Sequence, residues 1–363
     1  MRFNFVANIE ANDESSKVPY IRTGTTKNGN EYKSLSLSAV AARNNRAFME
    51  MFGMKEATIK TKDAENNDIS FSWNDREDPD VVSQVANSRK YVIAMNDERK
   101  EFISAYDFIT YVCDNLKEIK SKRWIINGFV RKDFYNGNVR DRFQIRNMFE
   151  APEDRKNQLR VSMNEFWSAE DVDTDSWATE KVVTINGYTD EYIDGKTQYV
   201  PQQVVFDCKK IDYENTRHVK VKDYKLRQLG MEEVDGKLNV KLKKKKVYRL
   251  NLTCNYVNGA EEVEFDTSTL DANQLEAIEL GLKTIDDFRP AGSIYGNRIT
   301  VYKVVDFDLR GDAANGVYDS EFTESEFEDL IYRPDVKETI EDTVAKSINK
   351  PVADDIDDDD LFS

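Results

Sequence analysis

The stretch Lys122 to Arg146, KRWIINGFVRKDFYNGNVRDRFQIR, decides the fold. It reads as two strands hinged at Asn136-Gly137, a dipeptide that tolerates the positive φ angles of a two-residue hairpin turn. On the second strand the alternation is regular, with Val139, Phe143, Ile145 and Phe149 forming an apolar face and Arg140, Arg142, Gln144 and Arg146 a basic one. On the first strand Ile126 and Val130 suit a core, which turns Phe129, Arg131 and Tyr135 outward unless a bulge at Gly128 resets the register. Lys132 and Phe134 then fall on the opposite parity.

Upstream, Phe3 to Ile9 reads as a strand, and after the turn Lys27-Asn28-Gly29-Asn30 the run Lys33 to Ala39 alternates strictly between polar and apolar. Further strands are expected near Ala57 to Lys62 and Ile69 to Trp73. Ser104 to Lys120 turns helical, with Tyr106, Ile109, Val112, Leu116 and Ile119 on one stripe and Ser104 and Asp107 at capping-box spacing. Strands, then a helix, then a closing hairpin is the order of an OB-fold, a five-stranded barrel with its helix between the third and fourth strands.

The hairpin pattern recurs in Val183 to Phe206, again with Ile-Asn-Gly, an aromatic, a glycine turn and an apolar return strand. The recurrence predicts a second OB-like unit, completed by a strand at Val247 to Tyr256, a capped helix at Asp271 to Phe288 and a strand at Ser293 to Leu309. The expected architecture is mainly β: tandem OB-fold-like five-stranded barrels, each with a helix, plus a disordered acidic C-terminal tail. The units are 1–152, 153–311 and 312–363. Within the last, Asp335 to Ile348 has the spacing of a short amphipathic helix.

Charge supports that division. The 363 residues carry a formal net charge of -16, and most of it lies beyond Asp319, which leaves the body close to neutral with basic patches. The 39% of apolar residues and 11% of aromatics are enough for folded cores. Met1 to Ser16 lacks a leader pattern, and no apolar run of about 18 residues occurs, so neither export nor membrane insertion is expected. Cys113, Cys208 and Cys254 form no CxxC pair and His218 stands alone, which excludes zinc frameworks and most histidine chemistry. Asp171-Val172-Asp173-Thr174-Asp175 starts like a calcium loop, but Ser176 and Val182 stand where glycine and glutamate are needed. No phosphate loop or nucleophile elbow appears, so neither enzyme, cofactor nor metal is expected.

The hairpin instead offers basic side chains interleaved with aromatics, as unpaired bases and their phosphates require. The candidates for binding single-stranded DNA are Trp124, Phe129, Arg131, Lys132, Phe134, Tyr135, Arg140, Arg142 and Arg146. Intrinsic tryptophan emission is then expected to quench on adding oligo-dT. The loop around Arg22, Lys27, Tyr32 and Lys33 is a second contributor. A third is the basic run Lys243, Lys244, Lys245, Lys246 with Tyr248 and Arg249. The recurring hairpin is acidic where the first is basic, so Tyr188, Tyr192 and Tyr199, which could stack bases, read first as packing or protein contacts.

The chain ends in DDIDDDDLFS. A helix before a basic hairpin, OB units and an acidic terminus with a hydrophobic pair together resemble the single-stranded-DNA-binding proteins of bacteria and their phages. Trp124 to Phe149 looks like the fourth and fifth strands of that family's domain, and Asp354 to Phe362 like its acidic tip. The resemblance implies coating of single strands during replication or recombination, in a bacterial or phage-infected host cytoplasm. It also implies a tip, Asp354, Asp355, Asp357, Asp358, Asp359, Asp360, Leu361 and Phe362, that recruits replication or recombination proteins and competes for the DNA groove. Ser363 departs from the family's terminal phenylalanine. The rival expectation is a structural or adaptor protein, such as a virion component, whose barrels contact only proteins.

Overall fold

The computed structural model describes residues 1–42, 45–135, 138–209, 211–262, 270–280, 282–288, 295–308 and 320–333, excepting the side chains of 135, 138, 260–262, 285–286 and 295–298. Its first part contains strands β1 (Arg2–Glu10), β2 (Ile21–Thr25), β3 (Glu31–Ala42) and β4 (Asn45–Met54). A small hairpin of β5 (Thr58–Lys62) and β6 (Asp68–Ser72) follows, then α1 (Pro79–Gln84) and the pair β7 (Tyr91–Met95) and β8 (Glu98–Phe102). Helices α2 (Ala105–Asp114) and α3 (Leu116–Ser121) lead into the long hairpin of β9 (Arg123–Tyr135) and β10 (Asn138–Glu150).

These strands close on themselves. β1 pairs with β3, β3 with β4, β4 runs parallel to β10, β10 pairs with β9, and β9 returns to β1. Five strands in that order, with the helices between the third and fourth, make an OB barrel. Helices α2 and α3 fill it with Phe108, Ile109, Val112 and Ile119, all fully buried. The predicted capping box at Ser104 does not form, because Asp107 instead accepts from Arg76 Nε at 2.8 Å.

The second part repeats the architecture. It comprises β11 (Gln158–Trp167), β12 (Val172–Asp173), α4 (Trp177–Glu180), β13 (Val182–Ile193), β14 (Lys196–Asp207) and α5 (Thr216–Gln228). Next come β15 (Met231–Val234), β16 (Lys237–Val240), β17 (Lys246–Glu262), α6 (Ala272–Glu279), α7 (Ile285–Phe288) and β18 (Tyr295–Phe307). The ring here is β11, β13, β14, β18, β17 and back to β11, with β14 and β18 parallel. The topology matches the first barrel strand for strand.

Two expectations about this half are corrected. The helix between its third and fourth strands is α5, whose Leu226 is fully buried, and not the segment at Asp271 to Phe288. That segment has its capping box between Asp271 and Gln274, but it lies between β17 and β18 with Leu275, Leu280 and Leu282 exposed. The recurring hairpin also differs in position: β9 and β10 are fourth and fifth strands, whereas β13 and β14 are second and third. The shared sequence pattern reflects what any tight, half-buried hairpin requires, not an equivalent place in the barrel.

Strand β10 contains a correction of register. Phe143 and Ile145 point inward as their alternation demands, but the pairing with β9 slips between Ile145 and Asn147. Met148 therefore takes the core position expected of Phe149, and Arg146 is the residue left at the bulge. Gly128, on the inward face of β9, is needed there: a Cβ would lie 1.9 Å from the Gln144 carbonyl oxygen.

The barrels share one continuous sheet. Arg2 to Val6 of β1 pair with β9 on one edge and with β11 on the other. Asn258 reinforces the junction, its backbone N–H donating to Asn45 Oδ1 and its side chain to the Arg46 carbonyl, each at 3.0 Å. The packing also crosses the seam, with the Phe143 and Tyr256 ring centroids 4.9 Å apart. Polar groups are buried here too. Lys132 pairs with Asp141 at 2.7 Å and donates to Gln202 at 2.6 Å, and the Tyr302 hydroxyl donates to Asp141 at 2.6 Å.

Beyond the second ring, β19 (Phe322–Thr323) and α8 (Glu324–Glu328) form a strap over its outer surface. Phe327 is 3% exposed between Phe166, Tyr188 and Tyr199, and Leu330 and Tyr332 exchange backbone hydrogen bonds with Tyr199. The strap ends at the first barrel's hairpin, where the Tyr332 and Phe134 ring centroids are 4.4 Å apart. The acidic tail and the expected helix at Asp335 to Ile348 lie outside the described residues, and among those described no helix is long and apolar enough to cross a membrane.

Glu165 points into the second barrel beside Met163 and Trp167 and is fully buried. Burial raises its carboxyl well above the ordinary 4.5, with nearby Lys132 opposing in part. The folded chain thus holds a proton that the unfolded chain releases above that value, so this group's contribution to stability falls as pH rises. Glu165→Gln should remove that dependence. In chemical unfolding from about pH 5 to about pH 8, the variant is expected to gain on the parent steadily. A constant difference between the two would contradict a protonated Glu165.

Candidate nucleic-acid interface

The outward sides of β3 and β4 are set by the same alternation that builds the core. Leu35, Leu37, Ala39, Met49 and Met51 are buried, so Tyr32, Ser34, Glu50 and Phe52 face out. Strand β10 lies parallel to β4 with Gln144 opposite Glu50, which extends this surface with Arg142, Gln144 and Arg146. Strand β9 runs beyond it and turns out Phe129 and Arg131, and β2 adds Arg22 opposite Ser34.

Together they form a groove of about 690 Å³. Its first-barrel wall includes Arg22, Arg89, Arg131, Arg142 and Arg146, with Tyr32, Phe52, Tyr91 and Phe129 among them. Among the side chains lining it every cation is an arginine, whose flat guanidinium can both pair with phosphate and stack on a ring, and the Met1 amino terminus also lies in the lining.

The aromatics are presented at ring-stacking distances. Tyr32 and Phe52 lie 5.5 Å apart at 26°, a stacked pair across neighbouring strands. Gly24, opposite Tyr32, makes room for that ring: a Cβ there would come within 2.7 Å of the hydroxyl. Arg146 lies over Tyr91 at 4.2 Å and donates to the Ser88 carbonyl at 3.1 Å, an arrangement made possible by the bulge. Phe129 is 40% exposed on a strand whose neighbours in sequence, Gly128 and Val130, are buried.

Carboxylates hold two of the arginines. Arg142 donates through Nε and Nη2 to one Glu50 oxygen at 3.1 and 2.9 Å, an ion pair that stays solvent-accessible. Arg131 reaches Glu191 of β13 at 3.4 Å. Burial raises the Glu191 carboxyl, and the Met1 amino terminus and Arg131 oppose the rise. The Arg142–Glu50 pair is exchangeable, because a phosphate can replace its exposed carboxylate with little change in geometry, whereas Glu191 is buried and its pair with Arg131 is structural.

The structure thus brings together Tyr32, Phe129, Arg131, Arg142 and Arg146 of the expected residues, with Arg22 beside them. Arg140 is exposed on the same hairpin but does not line the groove. Several other candidates are corrected. Trp124 is fully buried and donates to the Ile119 carbonyl at 2.8 Å, so it belongs to the barrel core. Lys132 is held at the seam by Asp141 and Gln202, and Phe134 packs on Tyr332. Lys33 points the other way, donating to Thr110 at 2.6 Å beside the Tyr106 ring. Tyr248 is fully buried, with its hydroxyl accepting from the Lys243 backbone.

Lys27 sits in the β2–β3 turn, and Lys243, Lys244, Lys245 and Lys246 precede or begin β17; none of these lines the groove. Arg249 is occupied by Asn164 and Glu321 on the second barrel. The Tyr135 side chain and the tip residues Asp357, Asp358, Asp359, Asp360, Leu361 and Phe362 lie outside the described residues. Phe52, Arg89 and Tyr91 were not singled out from the sequence. Phe52 was detectable by its parity opposite buried Met51, whereas Arg89 and Tyr91 arrive from a loop and an added strand that no motif marks.

No protein-family model matches this chain, and no curated protein matches it. Among solved structures it is similar to a deletion mutant of the single-stranded DNA binding protein from Thermus aquaticus. The identity is 8%, over 85% of this chain and 93% of that one, with a TM-score of 0.31.

All four tryptophans are buried, Trp73 at 8% exposure and Trp124, Trp167 and Trp177 at 1% or less. Their emission is therefore expected to be shielded from iodide and unchanged when the groove fills, contrary to the quenching expected from the sequence. An iodide quenching constant close to that of free tryptophan would contradict these positions.

Proposed function

We propose that this protein binds single-stranded DNA independently of sequence, in replication or recombination, with the first-barrel groove as its principal site. The observation that supports this reading is a single concave wall on which five arginines alternate with four exposed or half-exposed aromatics. Arginines neutralise phosphates without reading bases, and rings stack on any base at about 1 to 3 kcal/mol each.

The acidic tail is read as a competitor for that groove and a recruiter of partner proteins through Leu361 and Phe362. The last described residues support its access: Tyr332 packs on Phe134 of the β9–β10 hairpin, so the chain leaves Arg333 beside the basic strand. Its six aspartates from Asp354 to Asp360 can take the place of phosphates.

Fluorescence anisotropy with labelled oligo-dT tests the first claim. Binding is expected to weaken as salt rises, and the double change Arg142→Ala with Arg146→Ala should make the salt slope shallower by about 1.4, from roughly 0.7 per phosphate contact. Equal affinity for duplex and single strand, or an unaltered slope, would count against this site. Removing residues 354–363 should tighten binding at low salt and leave it unchanged at high salt. Equal affinity with and without the tail at low salt would reject competition.

A further inference from the structure

The wall facing the arginines belongs to the other barrel. Hairpin β13–β14 reaches across the seam and contributes Asp190, Glu191, Tyr192 and Thr197 to the groove lining, without a cation among them. Glu191 is already paired with Arg131, and the hairpin offers a strand's phosphates no side-chain cation of its own. The backbone of a strand filling the groove therefore follows the arginine wall, and its bases turn toward the hairpin.

The hairpin is held for this task. Its two-residue turn, Asp194-Gly195, has positive φ at both positions, 52° and 77°, the tight geometry that follows the strand twist. The Arg131–Glu191 pair and the Lys132–Gln202 hydrogen bond fasten it to β9. Of its tyrosines, Tyr188 and Tyr199 are taken up by Phe327 of the strap. Tyr192 is different, being 42% exposed and lining the groove.

We propose that Tyr192 of the second barrel is the base-stacking wall of the first barrel's groove, so that the single-strand site is shared by both barrels. This rests on the groove being a single-strand site. Of the two roles the sequence leaves open for the hairpin tyrosines, Tyr188 and Tyr199 take packing and Tyr192 takes base stacking. The hairpin thus places Tyr192 opposite the arginine wall, where an unpaired base can stack on its ring face.

Full-length protein and two variants test it. Tyr192→Ala should weaken oligo-dT binding roughly ten-fold with the salt slope unchanged, since no phosphate contact is removed. Tyr192→Trp adds an exposed indole to a chain whose own tryptophans are buried, and its emission should be quenched on adding oligo-dT. Parent-like affinity in Tyr192→Ala with unquenched Tyr192→Trp emission overturns the shared site while leaving the groove reading intact. Failure of the parent protein to bind oligo-dT at low salt overturns that reading and this inference with it. Circular dichroism melting that matches the parent shows that a weakened Tyr192→Ala is folded.

Discussion

Strand β1 has two edges and three neighbours, and the rest of the molecule depends on how it shares them. One edge is committed to β9 from Arg2 to Asn8; the other is divided, with Arg2 to Val6 on β11 and Asn8 to Glu10 on β3. Buried backbone donors and acceptors must be paired, so neither barrel can shift against the other without opening this ladder. The same strand that closes the first barrel therefore fixes the place of the second. Phe3 and Phe5 on β1 are buried against Phe143, so the hydrophobic core enforces the register that the ladder needs.

Fixing that seam positions the groove. Hairpin β13–β14 cannot drift from β9 while Lys132 is committed to Asp141 and Gln202, because an uncompensated buried charge costs several kcal/mol, about 3 to 5 when one partner is lost. The Arg142–Glu50 ion pair within the groove is of another kind. Arg142 and Glu50 remain 35% and 45% exposed, where an ion pair contributes little and can be replaced. Positions that set geometry are buried and paired, and positions available for exchange are wet. The same division separates the strap's Phe327, locked in an aromatic cluster, from Tyr192, left open on the hairpin beside it.

The β9–β10 hairpin shows how much of the site was legible. Period-two alternation placed Phe129, Arg131, Arg142 and Arg146 on the outer face, since a strand with one buried face has no other choice. The errors have physical causes as well. Trp124 is aromatic and adjacent to basic residues, yet it follows a helix whose last turn offers a carbonyl for its indole, so it is core. Lys132 has the composition of a phosphate ligand, but its partners come from Asp141 and from Gln202, 70 residues away, which no local pattern announces. Lys33 alternates with Ser34 and so turns to the helix side, and a stricter use of the same periodicity would have caught it.

By itself the sequence determined the β-rich class, the strand–helix–hairpin order of the first barrel and the parity of its outer face, because these follow from hydrophobic alternation and turn chemistry within short windows. It also determined the segregation of negative charge into the C-terminal segment. Tertiary structure alone decided that the two barrels share β1, that α5 and not α6 serves the second one, and that residues 320–333 fold back as a strap. It also decided that Asp190, Glu191 and Tyr192 face the arginines of another barrel. Each of those outcomes depends on strand pairing between residues far apart in the chain, where the backbone offers the same hydrogen bonds everywhere and only three-dimensional packing chooses among them.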